Sequence, residues 1–185
     1  SESEYIQNLD QSIFYQAHVQ NIGWQQDRQN GSIAGTVGKS LRIESLTASL
    51  DDPNSSIKIN GHVQGIGWQG WKTGSCGTTG KSKRLEAIRV RLTGNLSNDY
   101  DIWYRVHSSK VGWLGWTKNG APAGTTGKGY AAEAVQMVLV KKGDPAPGDT
   151  ANPFIGNDRI VTYKAHVATI GWQPGVSDGA TAGTT

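Results

Sequence analysis

The stretch HVQNIGWQ at residues 18–25 decides the fold, because the chain repeats it as HVQGIGWQ (62–69), HSSKVGWL (107–114) and HVATIGWQ (166–173). Each copy places a histidine six residues before the tryptophan of a Gly-Trp pair. The pairs are His18/Trp24, His62/Trp68, His107/Trp113 and His166/Trp172. An internal repeat has to be read before any other motif, since it fixes the architecture. A function carried by it is expected to be repeated too, which is typical of binding surfaces and not of catalytic centres.

Each copy, which we call a head, opens a larger unit. A Gly-rich middle follows it (AGTVGK 34–39, CGTTGK 76–81, AGTTGK 123–128, AGTT 182–185), and then a tail (SLRIESLTASL 40–50, SKRLEAIRVRL 82–92, GYAAEAVQMVL 129–139). The chain has four heads and three tails. We therefore divide it into a lead-in (1–14), a three-repeat β domain (15–142), a linker or inserted loop rich in Pro, Gly and Asp (143–158) and a truncated fourth repeat (159–185).

Hydrophobic residues recur with the period of a β-strand. In the first head Tyr15, Ala17 and Val19 alternate, and the apolar positions then change parity to Ile22 and Trp24. A period of two predicts a strand with one buried face, and a change of parity predicts a β-bulge or sharp bend. The tails show the same switch. We expect an all-β fold of tandem repeats of about 45 residues. Three such units favour a β-trefoil, with a β-prism or a β-solenoid as alternatives.

Composition and charge narrow the class of function. The 185 residues carry a net charge of +3, and their basic residues are spread over the repeats, so we expect no nucleic-acid partner. No apolar run is long enough to span a membrane, and we expect no membrane insertion. The single cysteine, Cys76, stands where the other units have alanine, which predicts a small buried residue and not a nucleophile. The histidines lack the close spacing of a zinc site, so neither a metal nor a cofactor is predicted.

The order of these motifs resembles that of the clostridial hydrophobic repeat with conserved Trp, the ChW repeat. The residues that carry the resemblance are the four Gly-Trp pairs, the Gly-Thr-Thr-Gly-Lys middles and the tail glutamates Glu44, Glu86 and Glu133. It covers about 15–142 and 160–185, and the third tail departs from it by lacking an arginine at the position of Arg42 and Arg84. The resemblance implies a secreted or surface protein of a Gram-positive bacterium that binds cell wall, glycan or a host surface.

The tryptophans are the first candidate ligand contacts. Trp24, Trp68, Trp113 and Trp172 could stack against sugar rings, but their phase with the isoleucine or valine two residues earlier favours a core role. Trp71 and Trp116 lie three residues after the repeat tryptophan in units two and three. The other units have Asp27 and Gly175 at that position, so the fold does not require an aromatic residue there. We expect both indoles to be exposed and to contact ligand.

The histidines, glutamates and glycine-rich middles have plausible structural roles. His18, His62, His107 and His166 point away from the buried face of the head strand, where they could bind ligand hydroxyls, although a hydrogen bond that pins the bulge is favoured. Glu44 and Glu86 follow Arg42 and Arg84 by two residues, which predicts a repeated ion pair. The middles lack the full phosphate-loop pattern, and we interpret them as turns closed by threonine hydroxyls.

These residues favour binding over catalysis. No Ser-His-Asp, Cys-His or paired-carboxylate set stands out, so we expect no enzyme activity. The main hypothesis is a non-catalytic carbohydrate- or cell-wall-binding module, multivalent through its repeats, that binds a polysaccharide or a peptidoglycan-type glycan. The alternative is an adhesion module that binds a surface protein of a host or partner. Both imply a secreted or cell-surface location.

Overall fold

The protein is built almost wholly from short and long β-strands. The computed structural model describes residues 11–156, 162–172 and 176–177. The first unit contains β1 (Ile13–Val19), β2 (Gly23–Trp24), β3 (Arg28–Gln29), β4 (Ala34–Gly35) and β5 (Ile43–Leu50). The second contains β6 (Ser55–Val63), β7 (Gly67–Trp68), β8 (Lys72–Thr73), β9 (Ser75–Gly77) and β10 (Leu85–Gly94), followed by the helical turn α1 (Leu96–Asp99).

The third unit repeats the same plan, and the fourth head adds small hairpins. The third contains β11 (Tyr100–Ser108), β12 (Gly112–Trp113), β13 (Thr117–Lys118), β14 (Ala123–Thr125) and β15 (Ala132–Lys141). After it come β16 (Phe154–Ile155), β17 (Thr162–Tyr163), β18 (His166–Val167), β19 (Gly171–Trp172) and β20 (Val176–Ser177). The lead-in up to residue 10, Gly175 and the AGTT segment at 182–185 lie outside the described residues.

A long head strand pairs antiparallel with a long tail strand in each complete unit. These pairs are β1 with β5, β6 with β10 and β11 with β15. Strand β1 buries every second residue, as the alternation of Tyr15, Ala17 and Val19 predicts. The buried faces of all three units merge into one hydrophobic core, in which Tyr15 and Tyr104 are the largest fully buried side chains.

The parity switch of the tails is a β-bulge, as predicted. His18 lies opposite Ser45 and Val19 lies opposite Ile43, so Glu44 is the extra residue. Glu86 and Glu133 take the same place in the other two ladders. A bulge leaves one residue unpaired and re-aims its side chain, and here it directs a glutamate toward the head strand.

The parity switch of the heads has a different cause. The chain does not bulge there but reverses direction in a three-residue turn, so that β2 pairs back onto β1, with Val19 opposite Gly23. Asn21 and Gly23 both adopt positive φ, at 63° and 82°. The other heads form the same hairpin, including the fourth, where Val167 lies opposite Gly171.

The three units close into a ring because the glycine-rich strand of each unit pairs with the tail strand of another unit. Strand β9 of unit two pairs with β5 of unit one, β14 of unit three with β10 of unit two, and β4 of unit one with β15 of unit three. Glycine is required at the crossing, since a Cβ on Gly35, Gly77 or Gly124 would lie 2.3, 2.3 or 2.5 Å from the carbonyl oxygen of a bulge glutamate. Cys76 lies beside Gly77 and is buried as predicted, and this burial raises the pKa of its thiol to about 12.

The ring consists of three separate sheets, one for each complete unit. Neighbouring long strands such as β5 and β6 belong to different sheets, so the described strands do not share the continuous ladder of a closed barrel. The favoured β-trefoil is therefore not confirmed. The all-β fold of tandem repeats is confirmed.

The segment after β15, predicted to be a linker or inserted loop, packs against unit three. Its strand β16 runs parallel to β14, and the amide of Gly124 donates to the carbonyl of Pro153 at 3.0 Å. The amide of Trp116 donates to the carbonyl of Asp149 at 2.8 Å. The described part of this segment, 143–156, which we call the insertion, therefore extends the second sheet through β16 and packs on the outer face of the third sheet near Ala146 and Asp149.

Candidate binding site

A histidine and a tryptophan contact each other edge to face in every head. The hairpin sets His18 opposite Trp24, and the other three pairs share this register. The ring centroids lie 5.1 to 5.3 Å apart, with interplanar angles of 77° to 83°. Such T-shaped pairs are worth about 0.5–1.5 kcal/mol beyond the area that they bury. Each hairpin thus fixes its indole in the same orientation.

The bulge glutamate stands behind the histidine in the complete units. The Nδ1 atom of the histidine lies 3.3, 3.0 and 3.3 Å from a glutamate Oε1 in units one, two and three. Arg42 and Arg84 contact the other oxygen of Glu44 and Glu86 at 2.9 Å, which confirms the predicted ion pair. The third unit has Ala131 in place of the arginine. The favoured hydrogen bond from histidine to bulge forms in unit two, between His62 and Glu86. The buried Nδ1 atoms of His18 and His107 lie near their glutamates but have no hydrogen-bond partner among the described residues.

The core role favoured for the repeat tryptophans is wrong. Trp24 is 45% exposed and Trp172 is 70% exposed, while Trp68 and Trp113 are half-buried. The residues two positions earlier, such as Ile22, are exposed as well. The phase argument fails because the chain reverses in the turn after Val19, so that β2 is a short edge strand beside β1 and does not continue the alternation of β1 into the core. Ile22 and Trp24 therefore lie together at the surface and not in the core.

Arginines stack on two of the four indoles. The guanidinium of Arg89 lies 4.9 Å from the ring centroid of Trp68, and that of Arg105 lies 4.5 Å from that of Trp113. Among the described residues no arginine lies over Trp24. The heads therefore share one scaffold but differ in how much indole surface they offer. Both contacts arise within one unit, since Arg105 lies on the head strand β11 and Arg89 lies on the tail strand β10 that pairs with the head strand β6, and our sequence reasoning missed them.

The two tryptophans expected to be exposed have different environments. Trp71 is half-buried, with the guanidinium of Arg91 lying 4.2 Å from its ring centroid, and it lies beside Gly120 of the third unit. Trp116 is only 4% exposed and packs with Trp103 in a second hydrophobic cluster. The prediction of an exposed Trp116 is therefore wrong.

The insertion explains the burial of Trp116. Ala146 packs against its cluster, and a Cβ on Gly115 would lie 2.2 Å from the carbonyl oxygen of Ala151. Gly115 therefore lets the insertion approach the sheet closely.

Glutamines next to the repeat tryptophans fix the glycine-rich middles. Gln25 accepts from the amide of Gly35 at 2.7 Å and donates to its carbonyl at 3.2 Å. Gln69 makes the same two bonds with Gly77. Our sequence reasoning missed this role, although the recurrence of Gln after Trp was a usable signal. The third unit has Leu114 instead, which is buried.

The middles are turns, but threonine hydroxyls do not close them. Gly38, Gly80 and Gly127 adopt positive φ in the three turns. The buried hydroxyls of Thr36, Thr78 and Thr125 have no hydrogen-bond partner among the described residues. The predicted threonine bonds are therefore wrong, and the glutamines act in two of the three units instead.

Metal sites and membrane-spanning helices are both absent from the part of the chain that the structure describes. Within that part of the chain, no group of three or more His, Cys, Asp or Glu side chains is arranged to hold a metal ion. No helix found there is long and apolar enough to cross a membrane.

The comparisons with known proteins point to one family. Neither the curated proteins nor the solved structures contain a match to this chain. The family model described as Clostridial hydrophobic W matches four segments, 18–52, 62–94, 107–141 and 166–185, each of which begins at the histidine of a head. Together these segments cover more than half of the sequence, so the chain belongs to the ChW (Clostridial hydrophobic W) family.

Proposed function

We propose that the chain is a non-catalytic carbohydrate- or cell-wall-binding module of a secreted or surface protein. The observation that carries the proposal is the repeated exposure of an indole on a fixed hairpin. Trp24 and Trp172 expose 45% and 70% of their surface. Such exposure is unusual for tryptophan, and here the residue recurs at the same position in all four heads. A flat, rigid indole offers contact area at a small entropic cost.

The support behind each indole suits this role. Two of the repeats hold the tryptophan through a chain of contacts from arginine to glutamate to histidine, as in Arg84, Glu86, His62 and Trp68. Side chains locked in this way lose little freedom when ligand binds. Weak sites on one rigid ring would add through avidity on a polymeric ligand.

A binding assay on purified Gram-positive cell wall and a glycan array tests the proposal. We expect the parent protein to be retained, and Trp24→Ala to weaken retention while lowering the melting temperature by only a few degrees, since the edge-to-face pair with His18 is lost. Loss of one indole contact worth about 1 kcal/mol would weaken a single site about fivefold. Ile33→Ala is the matched control, since Ile33 is 43% exposed in the same unit but lies outside the head. Failure of the folded parent to bind any polysaccharide would refute the proposal.

A protein partner is the second candidate. The first unit exposes Ile22, Ile33 and Val37 in addition to Trp24, and several apolar side chains on one unit favour a protein surface. Retention that survives excess soluble sugar, and that Ile33→Ala and Val37→Ala both weaken, would favour this candidate over the glycan.

A further inference from the structure

A cavity of about 590 Å³ lies where the three complete units meet. Three sets of equivalent positions line it, all at the junctions between a head turn and the start of a tail. These positions are Gln20, Gln64 and Ser109, then Ser40, Ser82 and Gly129, then Arg42, Arg84 and Ala131. Because each unit of a closed ring contributes the same positions, the cavity surrounds the approximate threefold axis. We call it the axial cavity.

Hydrogen bonds between the head turns and the tails fix the walls of the axial cavity. In each unit the amide of the head-turn residue donates to a tail carbonyl, as Gln20 does to Arg42 at 3.0 Å and Ser109 does to Ala131 at 2.9 Å. In return the hydroxyl of Ser109 accepts from the amide of Ala131 at 2.9 Å. The cavity is therefore formed before any ligand arrives, which lowers the cost of binding.

The lining is polar and offers mainly hydrogen-bond donors. Three cationic side chains, Arg42, Arg84 and Lys110, face one carboxylate, Glu133, which lies 3.3 Å from His107. Glu44 and Glu86 lie behind the two arginines, which shield them from the cavity. These charges balance, so directed N–H groups and not a net field would attract an anion. Ala131, which replaces the third arginine, leaves room on one side.

The rim adds positive charge. Lys39, Lys81 and Lys128 are the residues just before Ser40, Ser82 and Gly129, and all three are exposed. Three exposed lysines, each one residue from a lining position, raise the local concentration of anions.

Two serines adopt a backbone conformation that favours glycine. Ser40 and Ser82 have φ of 54° and 52°, and the equivalent Gly129 has φ of 70°. A side chain strains the backbone in this region, and glycine avoids that strain. Neither serine side chain makes a hydrogen bond with another of the described residues. Glycine would suit the backbone at both positions, and the two hydroxyls are free to contact a ligand.

We propose that the axial cavity binds a sugar that carries a carboxylate or phosphate group. The cationic side chains would hold the anionic group, and the serine hydroxyls and glutamine amides would bind the sugar hydroxyls. The volume falls within the range of about 300–1,000 Å³ that small-molecule sites occupy. This site is separate from the head indoles and does not rest on their proposed role.

Titration calorimetry with four probes tests the proposal. The probes are glucuronate, glucose 6-phosphate, glucose and inorganic phosphate. We expect saturable binding of at least one charged sugar, tighter by at least tenfold than that of glucose or inorganic phosphate. The comparison of glucuronate with glucose 6-phosphate tells the carboxylate from the phosphate. Absence of binding by both charged sugars overturns the proposal. So does inorganic phosphate binding as tightly as they do, which would indicate only a basic surface.

Two variants locate the binding in the cavity. Ser40→Gly/Ser82→Gly should weaken charged-sugar binding at least fivefold while the melting temperature stays equal or rises, because the backbone strain is relieved. Lys110→Gln, at an exposed position, should weaken binding by a similar factor without a change in stability. Unchanged affinity in both variants would place the binding elsewhere and refute the assignment. Trp24→Ala is the control and should bind the charged sugar like the parent, so this test and that of cell-wall retention can fail independently.

Discussion

The tail glutamates show how one residue type serves the fold at three equivalent places. Glu44, Glu86 and Glu133 are buried polar residues, each placed by a bulge beside a histidine. A buried carboxylate is costly unless it is paired, and each one here has a partner within 3.3 Å. The backbone carbonyl of each glutamate also lies in close contact with a glycine of a neighbouring unit. One position therefore ties together a bulge, a hairpin and a ring contact.

The glycines that contact these carbonyls allow a direct test. Gly77→Ala should destabilise the protein more than Gly80→Ala. Both glycines have positive φ, at 88° and 71°, so both variants carry a strain of about 1–2 kcal/mol. Only at Gly77 does the added Cβ meet a backbone atom, 2.3 Å away, whereas around Gly80 there is open space within 4 Å. We expect an additional loss of roughly 1–3 kcal/mol for Gly77→Ala in urea unfolding. Equal losses would contradict the close crossing of the strands.

Asp101 is expected to make stability depend on acid pH. Burial alone would raise the pKa of Asp101, but hydrogen bonds from Lys142, Asn119 and Lys118 outweigh it and lower the pKa to about 2. A lowered pKa in the folded state stabilises the protein above the unfolded value of 3.8, and this contribution is lost as the pH falls toward 2.

Melting curves between pH 5 and pH 2 check this expectation. The melting temperature of the parent should fall more steeply below pH 4 than that of Asp101→Asn, which has no carboxylate to titrate. Lys118→Gln should give an intermediate slope, since one of the three donors is lost. Parallel curves for the parent and Asp101→Asn would show that this cluster contributes nothing to acid sensitivity.

At the scale of elements, the insertion changes what a repeat position does. Trp71 and Trp116 occupy the same offset from their repeat tryptophans, and an arginine stacks on each, Arg91 at 4.2 Å and Arg105 at 5.0 Å. Only unit three is followed by an insertion that folds back over its outer face. The same residue type is therefore half-exposed in one sheet and buried in the next.

This difference predicts different costs of truncation. Trp116→Ala should lower the free energy of unfolding by about 3–5 kcal/mol, because a buried indole leaves a cavity between β15 and the insertion. Trp71→Ala should cost clearly less, since its indole is half-exposed. Urea unfolding of both variants gives the comparison. A loss for Trp71→Ala as large as that for Trp116→Ala would argue against the covering role of the insertion.

At the scale of the whole molecule, the units depend on one another. Each complete sheet is finished by a strand from a different unit, and the pairing of β4 with β15 joins the first unit to the third. The hydrophobic core draws on all three units. A ring of this kind has no independent repeat, because the tail strand of each complete unit pairs with a strand from another unit.

Shortened chains test this dependence. A chain of residues 11–94 would leave β4 without β15 and β10 without β14, and would lack the core residues Tyr104 and Met137. We expect it to show no cooperative thermal transition. A chain of residues 11–156, which keeps the three units and the insertion, should melt in one sharp transition, as followed by near-UV circular dichroism. A sharp transition in the shorter chain would refute the interdependence of the units.

The sequence by itself determined the local features of this protein. The repeat, the strand period, the bulge at Glu44 and its ion pair with Arg42 could all be predicted, because alternation and short spacings act within one unit. The burial of Cys76 followed from its alanine counterparts. The exposure of Trp24 could not be predicted, since the strand period does not show that the chain reverses after Val19 into a short edge strand outside the core. Only the tertiary structure decided how β-strands pass between units, how the insertion buries Trp116 and where the axial cavity forms. Each of these depends on contacts between segments far apart in the chain, which no local pattern records.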